Sequence, residues 1–265
     1  MINLRFASTL AWAFPIDQVI RMASECHFVG VEVWAEHVWK YETNTKTIRE
    51  VKEETNMLLT MHAASWDLNI SALNNGIRKQ SVQEIIRSIE LASQIGADNI
   101  TFHPGKLTIS NSERSIHEAL LFESLEELAR KAKQEGVTLS LEMMEREKKE
   151  FIHHPKALKK VIDPFYPQIQ STFDVAHIPL HENIFSIWKG MPTVNKIHIS
   201  DATDEKLHLP LGDGDIHFET LMKFLSFESI PVIIEGFDDS NDLNVLKKNI
   251  QFIQRNKADL KEVVG

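Results

Sequence analysis

Four short apolar runs of the chain each end in a residue type that binds divalent metal ions. The runs are LSLE, STFD, KIHIS and PVIIE, and their ligand-type residues are Glu142, Asp174, His198 and Glu235. A parallel strand buried on both faces has the form of a short apolar run, so each ligand lies at the carboxyl end of a predicted strand. Three carboxylates gathered at one point repel one another unless a cation joins them. Carboxylates with one imidazole therefore predict a divalent metal site, suited to Mn²⁺, Co²⁺, Mg²⁺ or Zn²⁺.

The elements that must position these residues alternate along the chain. The four ligands are separated by 32, 24 and 37 residues, which is about the length of a strand and a helix together. Strands are predicted over Asn3–Ala7, Val31–Ala35, Leu58–His62, Asn99–His103, Val137–Met143, Gln170–Asp174, Lys196–Ser200 and Val232–Gly236. Helices are predicted over Asp17–Cys26, Ser81–Gly96, Asn111–Gly136 and Phe218–Leu225. The two long helices end on a glycine, which suits the left-handed position after the last turn.

Strands that alternate with helices predict an α/β fold with a parallel sheet. The length of 265 residues is close to the roughly 250 of a (β/α)₈ TIM barrel. No linker divides the chain, so we predict a single (β/α)₈ barrel domain over residues 1–265. The alternative is an open doubly wound sheet. Neither GxGxxG nor GxxxxGK(S/T) follows a predicted strand, so the nucleotide-binding fingerprints are absent from the sequence.

The carboxyl ends of barrel strands form the active site in such folds, which adds four histidines to the candidates. His62 and His103 end strands three and four, His177 follows Asp174 by three residues, and His208 lies in the loop after strand seven. A single histidine at a strand end is more often a hydrogen-bonded loop residue than a ligand. A single aspartate there is often a helix N-cap, and Asp174 and Asp201 have that alternative role.

Several other residues fit a structural role as well as a functional one. Trp12, Trp34 and Trp66 follow strands one to three, where they either line a pocket or pack in the core. The LGDGD segment does not lead from a strand into a helix, so we expect a tight turn that shapes the mouth of the site. The remaining histidines lie away from strand ends and are expected to be exposed: His27, His37, His117, His153, His154, His181 and His217.

Composition narrows the class of protein and its partners. The net charge is −9, which argues against a nucleic-acid partner because neutralisation of phosphates drives that binding. Cys26 is the single cysteine, so an intramolecular disulfide is impossible and a reducing cytoplasm is expected. The first residues do not have the form of a signal peptide. No run approaches the roughly 18 apolar residues of a membrane helix, so no membrane association is expected.

The motifs, taken in order, resemble the xylose isomerase-like barrel superfamily. They are TFHPG, the LE that ends at Glu142, FDVAH, HISD, LGDGDI and IIEG. The resemblance covers nearly the whole chain, from GVEVW at residues 30–34 to IIEGF at residues 233–237. The superfamily contains sugar phosphate isomerases and epimerases, inosose and ketose epimerases, and endonuclease IV.

This resemblance implies a role for each residue of the first candidate site. In the epimerases of the superfamily, one metal ion is held by the positions that match Glu142, Asp174, His198 and Glu235. The two glutamates also flank the substrate and move its proton, and the histidine that matches His177 contacts the substrate. The implied chemistry is proton transfer next to a carbonyl through an enediolate.

The endonuclease branch implies further metal ions. There the positions that match His62, His103, His177 and His208 hold additional zinc, so a second metal at His62 and His103 is a further expectation. Two departures stand out. Lys206 replaces an aspartate two residues before His208, which removes a ligand of the third zinc. Arg146 matches the ketose epimerases, whereas Lys148 replaces a carboxylate that contacts the sugar there.

Together, the residues and the resemblance predict a divalent-metal-dependent sugar isomerase or epimerase of carbohydrate metabolism. Its expected partner is a small-molecule sugar, phosphorylated or not, and a homo-oligomer is compatible with the sequence. The alternative is an endonuclease IV-like zinc phosphodiesterase that acts on abasic DNA. A third hypothesis is a barrel that binds a sugar or a metal without turnover.

Overall fold

The strands of this protein close into a parallel barrel. A computed structural model describes residues 2–226 and 229–261, and in this part of the chain eight strands pair in the order β1 to β8, with β8 next to β1. The strands are β1 (Leu4–Ala7), β2 (Gly30–Trp34), β3 (Leu58–His62), β4 (Asn99–Phe102), β5 (Thr138–Glu142), β6 (Ile169–Asp174), β7 (Val194–Ile199) and β8 (Val232–Ile234). The predicted (β/α)₈ TIM barrel is therefore confirmed, and the alternative of an open sheet is wrong.

Helices connect the strands and cover the outside of the barrel. They are α1 (Ile16–Glu25), α2 (Ala35–Lys40), α3 (Thr45–Thr55), α4 (Asn75–Ile95), α5 (Arg114–Glu135), α6 (Pro155–Ile162), α7 (Ile184–Gly190), α8 (Phe218–Leu225) and α9 (Asn244–Lys261). Gly96 and Gly136 follow the two longest with φ angles of 73° and 71°, which confirms the predicted left-handed caps. Helix α4 starts six residues before its predicted Ser81, because the Asn74 side chain accepts hydrogen bonds from the Gly76 and Ile77 amides.

Side chains alternate between the two faces of each strand, and the two faces differ in chemistry. The outer face is apolar and packs against the helices; Leu139, Leu141 and Ile197 are examples that are fully buried. The inner face is mostly polar. Thr101 on β4 and Thr172 on β6 form a hydrogen bond of 2.8 Å across the barrel, although their strands are not neighbours. The inner rows that lead to Glu142 and Asp174 are polar, whereas Ile233, which precedes Glu235 on the inner face, packs with Ala7 and Trp34 in a small apolar cluster.

Two histidines expected at the surface are buried instead. The His37 ring lies 2.8 Å from the Phe14 carbonyl oxygen through Nε2, and the His117 ring lies 2.8 Å from the Ser71 carbonyl oxygen through Nδ1. Both side chains are fully buried, so their prediction as exposed residues is wrong. Their hydrogen bonds satisfy carbonyl groups of the loops that the helices cover. Among the described residues, no helix has the length and apolar character that a membrane crossing requires.

Candidate active site

The first four candidate residues meet at one end of the barrel. Glu142 and Asp174 are the last residues of β5 and β6, His198 is the fifth residue of β7, and Glu235 directly follows β8. Parallel pairing aligns these strand ends, with Asp174 in register with His198. One ligand atom from each of the four residues lies within 4.8 Å of the others. We call this group the central cluster, and its arrangement is that of a site for one divalent cation.

Unpaired polar atoms make the central cluster suited to a metal. Glu142 Oε1, Asp174 Oδ2, His198 Nδ1 and Glu235 Oε2 are buried and have no hydrogen-bond partner among the described residues. Burial of unpaired carboxylate oxygens is costly. The His198 Nδ1 atom lies 2.9 Å from Glu235 Oε2 and 3.3 Å from Glu142 Oε1. A cation placed among these atoms would satisfy all four at once, so the residues present fit the implied metal.

The electrostatics of the central cluster also favour a cation. Burial alone would lower the pKa of His198, but Glu32, Glu235 and Glu142 together raise this pKa well above its usual value. Burial would raise the pKa of Glu142, yet His198 and His103 hold it well below its usual value. Burial does raise the pKa of Asp174, to about 6, although His177 opposes the shift. The carboxylates thus draw protons onto the histidines, where a divalent ion can take their place.

Two further clusters share a carboxylate with the central cluster. The second cluster contains His62, His103 and Glu142, and the third contains Asp174, His177 and His208. In the second, His103 Nε2 lies 3.1 Å and His62 Nε2 lies 3.7 Å from Glu142 Oε2. In the third, His177 Nε2 lies 3.6 Å from Asp174 Oδ2. All eight predicted site residues therefore lie in one continuous site, and their roles as ligands or catalysts stay predictions.

Three of the histidines, His62, His177 and His208, are oriented by a hydrogen bond at the ring nitrogen that faces away from the site, and His198 has a close contact with a carboxylate at the corresponding nitrogen. His62 Nδ1 lies 2.8 Å from the Ala63 carbonyl oxygen, and His177 Nδ1 lies 2.9 Å from that of Met143. His208 Nδ1 lies 3.0 Å from Ser200 Oγ, and His198 Nε2 lies 2.8 Å from Glu32 Oε1. A hydrogen bond at one nitrogen fixes the ring and leaves the other nitrogen free to bind, as in metal-ligating histidines.

Asp201 anchors the loop that follows β7. Its carboxylate accepts hydrogen bonds from the amides of Ala202, Gly212, Gly214 and Ile216. Asp201 also forms an antiparallel bridge with Leu209, which holds the adjacent His208 over the site. Asp201 thus has the backbone-binding role that the sequence offered as its alternative, and it fixes LGDGD as a tight loop near the site. The Asp174 Oδ1 atom accepts from the Ala176 amide at 2.7 Å, and its Oδ2 is unpaired among the described residues, so the backbone-binding role leaves one oxygen available as a candidate ligand.

An open cavity of about 740 Å³ leads from the surface to the clusters. Trp34, Trp66 and Phe237 form part of its wall. Trp34 also stacks on the His62 ring at a centroid distance of 4.0 Å. Trp12 lies behind this wall, 5.0 Å from the Trp66 ring. The tryptophans therefore serve both of the roles that the sequence left open, and Trp34 and Trp66 give the cavity an aromatic surface next to the histidine clusters.

Three carboxylates near the site were missed by the sequence reasoning. Glu145 and Glu150 line the cavity, and burial together with the charge of Glu145 raises the pKa of Glu150 to about 7. Glu32 lies inside the barrel beneath His198 and contacts its ring. Lys148, in contrast, is exposed, and Arg146 forms an ion pair of 2.6 Å with Glu182. A charged residue in the middle of an apolar strand, as in GVEVW, is the signal that would have found Glu32.

Comparison with known proteins gives the family. The model of the xylose isomerase-like TIM barrel matches residues 20–256. The chain belongs to this family. Among curated relatives, an uncharacterized protein of Methanocaldococcus jannaschii is 28% identical over 209 residues, which cover 78% of this chain and 81% of the relative.

Solved structures of sugar epimerases and of an epimerase-like protein have the same fold. A D-tagatose 3-epimerase-like protein aligns with a TM-score of 0.84 at 21% identity and covers both chains completely. An L-ribulose 3-epimerase aligns with a TM-score of 0.81 at 15% identity, covering 100% of this chain and 97% of the other. At these identities the likeness establishes the barrel, and the chemistry of this member must be argued from its own residues.

Proposed function

We propose that this xylose isomerase-like barrel is a divalent-metal-dependent sugar isomerase or epimerase. The observation that carries the proposal is the central cluster, in which one ligand atom from each of four residues lies within 4.8 Å of the others at the strand ends. Glu142 and Glu235 of this cluster also line the open cavity, so each can face both a metal and a substrate. The ketose epimerases among the structural neighbours support a sugar as the substrate class.

Glu142, Asp174, His198 and Glu235 would hold the cation. When bound, the ion supplies Lewis-acid polarisation of a carbonyl and its neighbouring hydroxyl and neutralises the charge of the enediolate. Three carboxylates and one imidazole suit Mn²⁺, Co²⁺, Mg²⁺ or Zn²⁺. His198 and Asp174 are fully buried, and the Ala176 amide holds one Asp174 oxygen. Glu142 and Glu235 line the cavity, so they are the two ligands that can also act on the substrate.

The proton transfer is assigned to Glu142 and Glu235. They follow strands β5 and β8, which are not neighbours in the barrel, so they approach the central cluster from different sides. A substrate carbon between them can lose its proton to one carboxylate and regain a proton from the other. His177 lines the same cavity. Burial lowers its pKa, but Asp174, Glu142 and Glu145 raise it to about 9, so the ring is protonated at both nitrogens at neutral pH and its Nε2 can donate a hydrogen bond to a substrate hydroxyl.

The walls of the cavity fit a carbohydrate. Trp34, Trp66 and Phe237 offer aromatic faces to the apolar side of a sugar ring or chain. Glu145 and Glu150 lie on the same cavity wall as His177 and provide acceptors for hydroxyl groups. Such a mixture of aromatic surface with a few placed polar groups is typical of small-molecule sites. The sequence has Lys148 where the ketose epimerases have a sugar-contacting carboxylate. Glu150, two residues later, lines the cavity and can provide a carboxylate in its place.

A zinc phosphodiesterase that acts on abasic DNA is the second candidate. The second and third clusters favour it, because three adjoining clusters could hold up to three ions. Lys206 and the net charge of −9 disfavour it. The lysine lines the cavity beside His208, where it adds a positive charge and cannot serve as a ligand. We therefore rank the isomerase or epimerase first.

Counting metal ions per chain tests the proposal and separates the candidates. The protein would be purified, equilibrated with zinc or manganese, dialysed, and analysed by inductively coupled plasma mass spectrometry. One retained ion agrees with the isomerase or epimerase, and two or three agree with the phosphodiesterase. His198→Ala should lower the count, whereas the exposed His217→Ala is the matched control. Equal counts in wild type and His198→Ala would show that the central cluster is not the metal site.

A further inference from the structure

A buried ion pair lies directly beneath the central cluster. Glu32 is the third residue of β2 and Lys196 is the third residue of β7, and both side chains are fully buried inside the barrel. The Lys196 ammonium donates to Glu32 Oε2 and to the Met61 carbonyl oxygen at 3.2 Å. Lys196 precedes His198 by two residues, so alternation along the strand places both on the inner face. The pair therefore joins two strands, β2 and β7, that are not neighbours in the barrel.

The other oxygen of Glu32 contacts His198. Glu32 Oε1 lies 2.8 Å from His198 Nε2, while His198 Nδ1 faces Glu142 and Glu235 at 3.3 and 2.9 Å. An imidazole that donates from Nε2 must keep the Nδ1 lone pair free in its neutral form. The Glu32 charge at this distance favours the proton on Nε2, and therefore the tautomer whose Nδ1 can bind a cation. A carboxylate acceptor also makes the imidazole a stronger ligand.

Lys196 explains how a carboxylate can occupy this position. A buried, unpaired carboxylate is costly, and the central cluster already holds three carboxylates. The ammonium group balances the charge of Glu32, so Glu32 adds a strong acceptor for His198 without adding net negative charge. We propose that Glu32 is a positioning residue for His198, and that the Glu32–Lys196 pair sets the affinity of the central cluster for a divalent cation. This inference rests on the proposed metal site.

The competing account is that the pair only fills the barrel and stabilises the fold. Two variants separate the accounts. Glu32→Gln removes the carboxylate and leaves Lys196 buried without its counter-ion, so it lowers the unfolding midpoint. The double variant Glu32→Gln/Lys196→Met removes both charges and should recover much of that stability, because neither charge is left unpaired. A purely structural pair would recover metal affinity together with stability.

The experiment measures metal affinity in the metal-free protein. Zn²⁺ binding would be followed by competition with a chelating dye, and Co²⁺ binding by the visible absorption of the ion. We expect both variants to bind about 10- to 100-fold more weakly than wild type and to shift the Co²⁺ bands, because the field of the His198 ligand changes. Thr60→Val is the control, since Thr60 is a fully buried polar residue of β3 whose hydroxyl has no hydrogen-bond partner among the described residues.

The possible outcomes distinguish this inference from the proposed function. Weaker binding in both variants, with stability recovered in the double variant, supports the positioning role. Wild-type affinity and an unchanged Co²⁺ spectrum in Glu32→Gln overturn the role of Glu32 and leave the metal site intact. Recovery of affinity in the double variant likewise overturns it in favour of a structural pair. Absence of binding in the wild type itself overturns the metal site and this inference together.

Discussion

Removal of the Asp174 charge should stabilise the metal-free protein while it weakens metal binding. Asp174 is fully buried, and among the described residues only its Oδ1 accepts a hydrogen bond, from the Ala176 amide. Burial, with the charges of Glu235 and Glu142, raises the pKa of Asp174 from 3.8 to about 6. The folded protein therefore holds the Asp174 proton more tightly than the unfolded chain does. The ionised carboxylate then costs on the order of 3 kcal/mol of stability once the pH exceeds the folded pKa.

The variant Asp174→Asn keeps the acceptor for the Ala176 amide and removes the charge. Without metal, its free energy of unfolding at pH 8 should exceed that of wild type by as much as ~3 kcal/mol. The gain should shrink as the pH falls from 6 towards 3.8, because the wild-type carboxylate becomes protonated in the folded state. Excess zinc should reverse the order, since a ligand at a thousandfold excess over its Kd stabilises the protein that binds it by roughly 4 kcal/mol.

Urea denaturation at pH 8 and pH 5, with chelator or with zinc, measures these quantities. Asp201→Asn is the matched control. There the same chemical change replaces a carboxylate that accepts four backbone hydrogen bonds, so these hydrogen bonds become weaker. The control should be destabilised with or without zinc. If metal-free Asp174→Asn is less stable than wild type at pH 8, the electrostatic account of the central cluster is refuted.

Two further predictions concern catalysis and metal count. Glu142→Gln and Glu235→Gln should each lower turnover by about 10²- to 10⁴-fold for any ketose that the wild type converts. Their circular dichroism spectra should be unchanged. Wild-type turnover in either variant contradicts the proton-transfer mechanism. Lys206→Asp should raise the number of bound zinc ions by one per chain, because it adds a carboxylate at the third cluster. An unchanged zinc count, with Lys206→Ala as the control, would show that the third cluster does not bind metal.

The site could be predicted from sequence largely because its residues sit at strand ends. Strand β3 ends at His62 where its apolar pattern ends, and β5 and β6 end on Glu142 and Asp174. Parallel pairing brings all these ends to one rim of the barrel, so identification of the strands is enough to bring the ligands together. The loop positions of His177 and His208 required the motifs as well as the pattern of strands.

Contacts across the barrel interior could not be predicted in this way. Glu32 and Lys196 are separated by 164 residues and lie on strands that are not neighbours. The strands are identified in the sequence as apolar runs, on the expectation that both of their faces are apolar. That expectation assigns no function to a charged residue within a strand, such as Glu32 or Lys196. Local patterns also gave no account of His37 and His117, whose burial depends on which loops the helices cover. In each case the missing information is the position of a distant segment.

Proton exchange with solvent is the measurement that tests the central claim most directly. The metal-loaded protein would be incubated with a panel of ketoses and aldoses in deuterated water, and in parallel with duplex DNA that contains an abasic site. Glu142 and Glu235 line an open cavity, so a proton held on either carboxylate can exchange before it returns to the substrate. The account predicts deuterium on the carbon next to the carbonyl of one sugar, dependent on metal and lost in Glu142→Gln, with no cleavage of the DNA. Metal-dependent cleavage at the abasic site, without deuterium in any sugar, would contradict it and favour the phosphodiesterase.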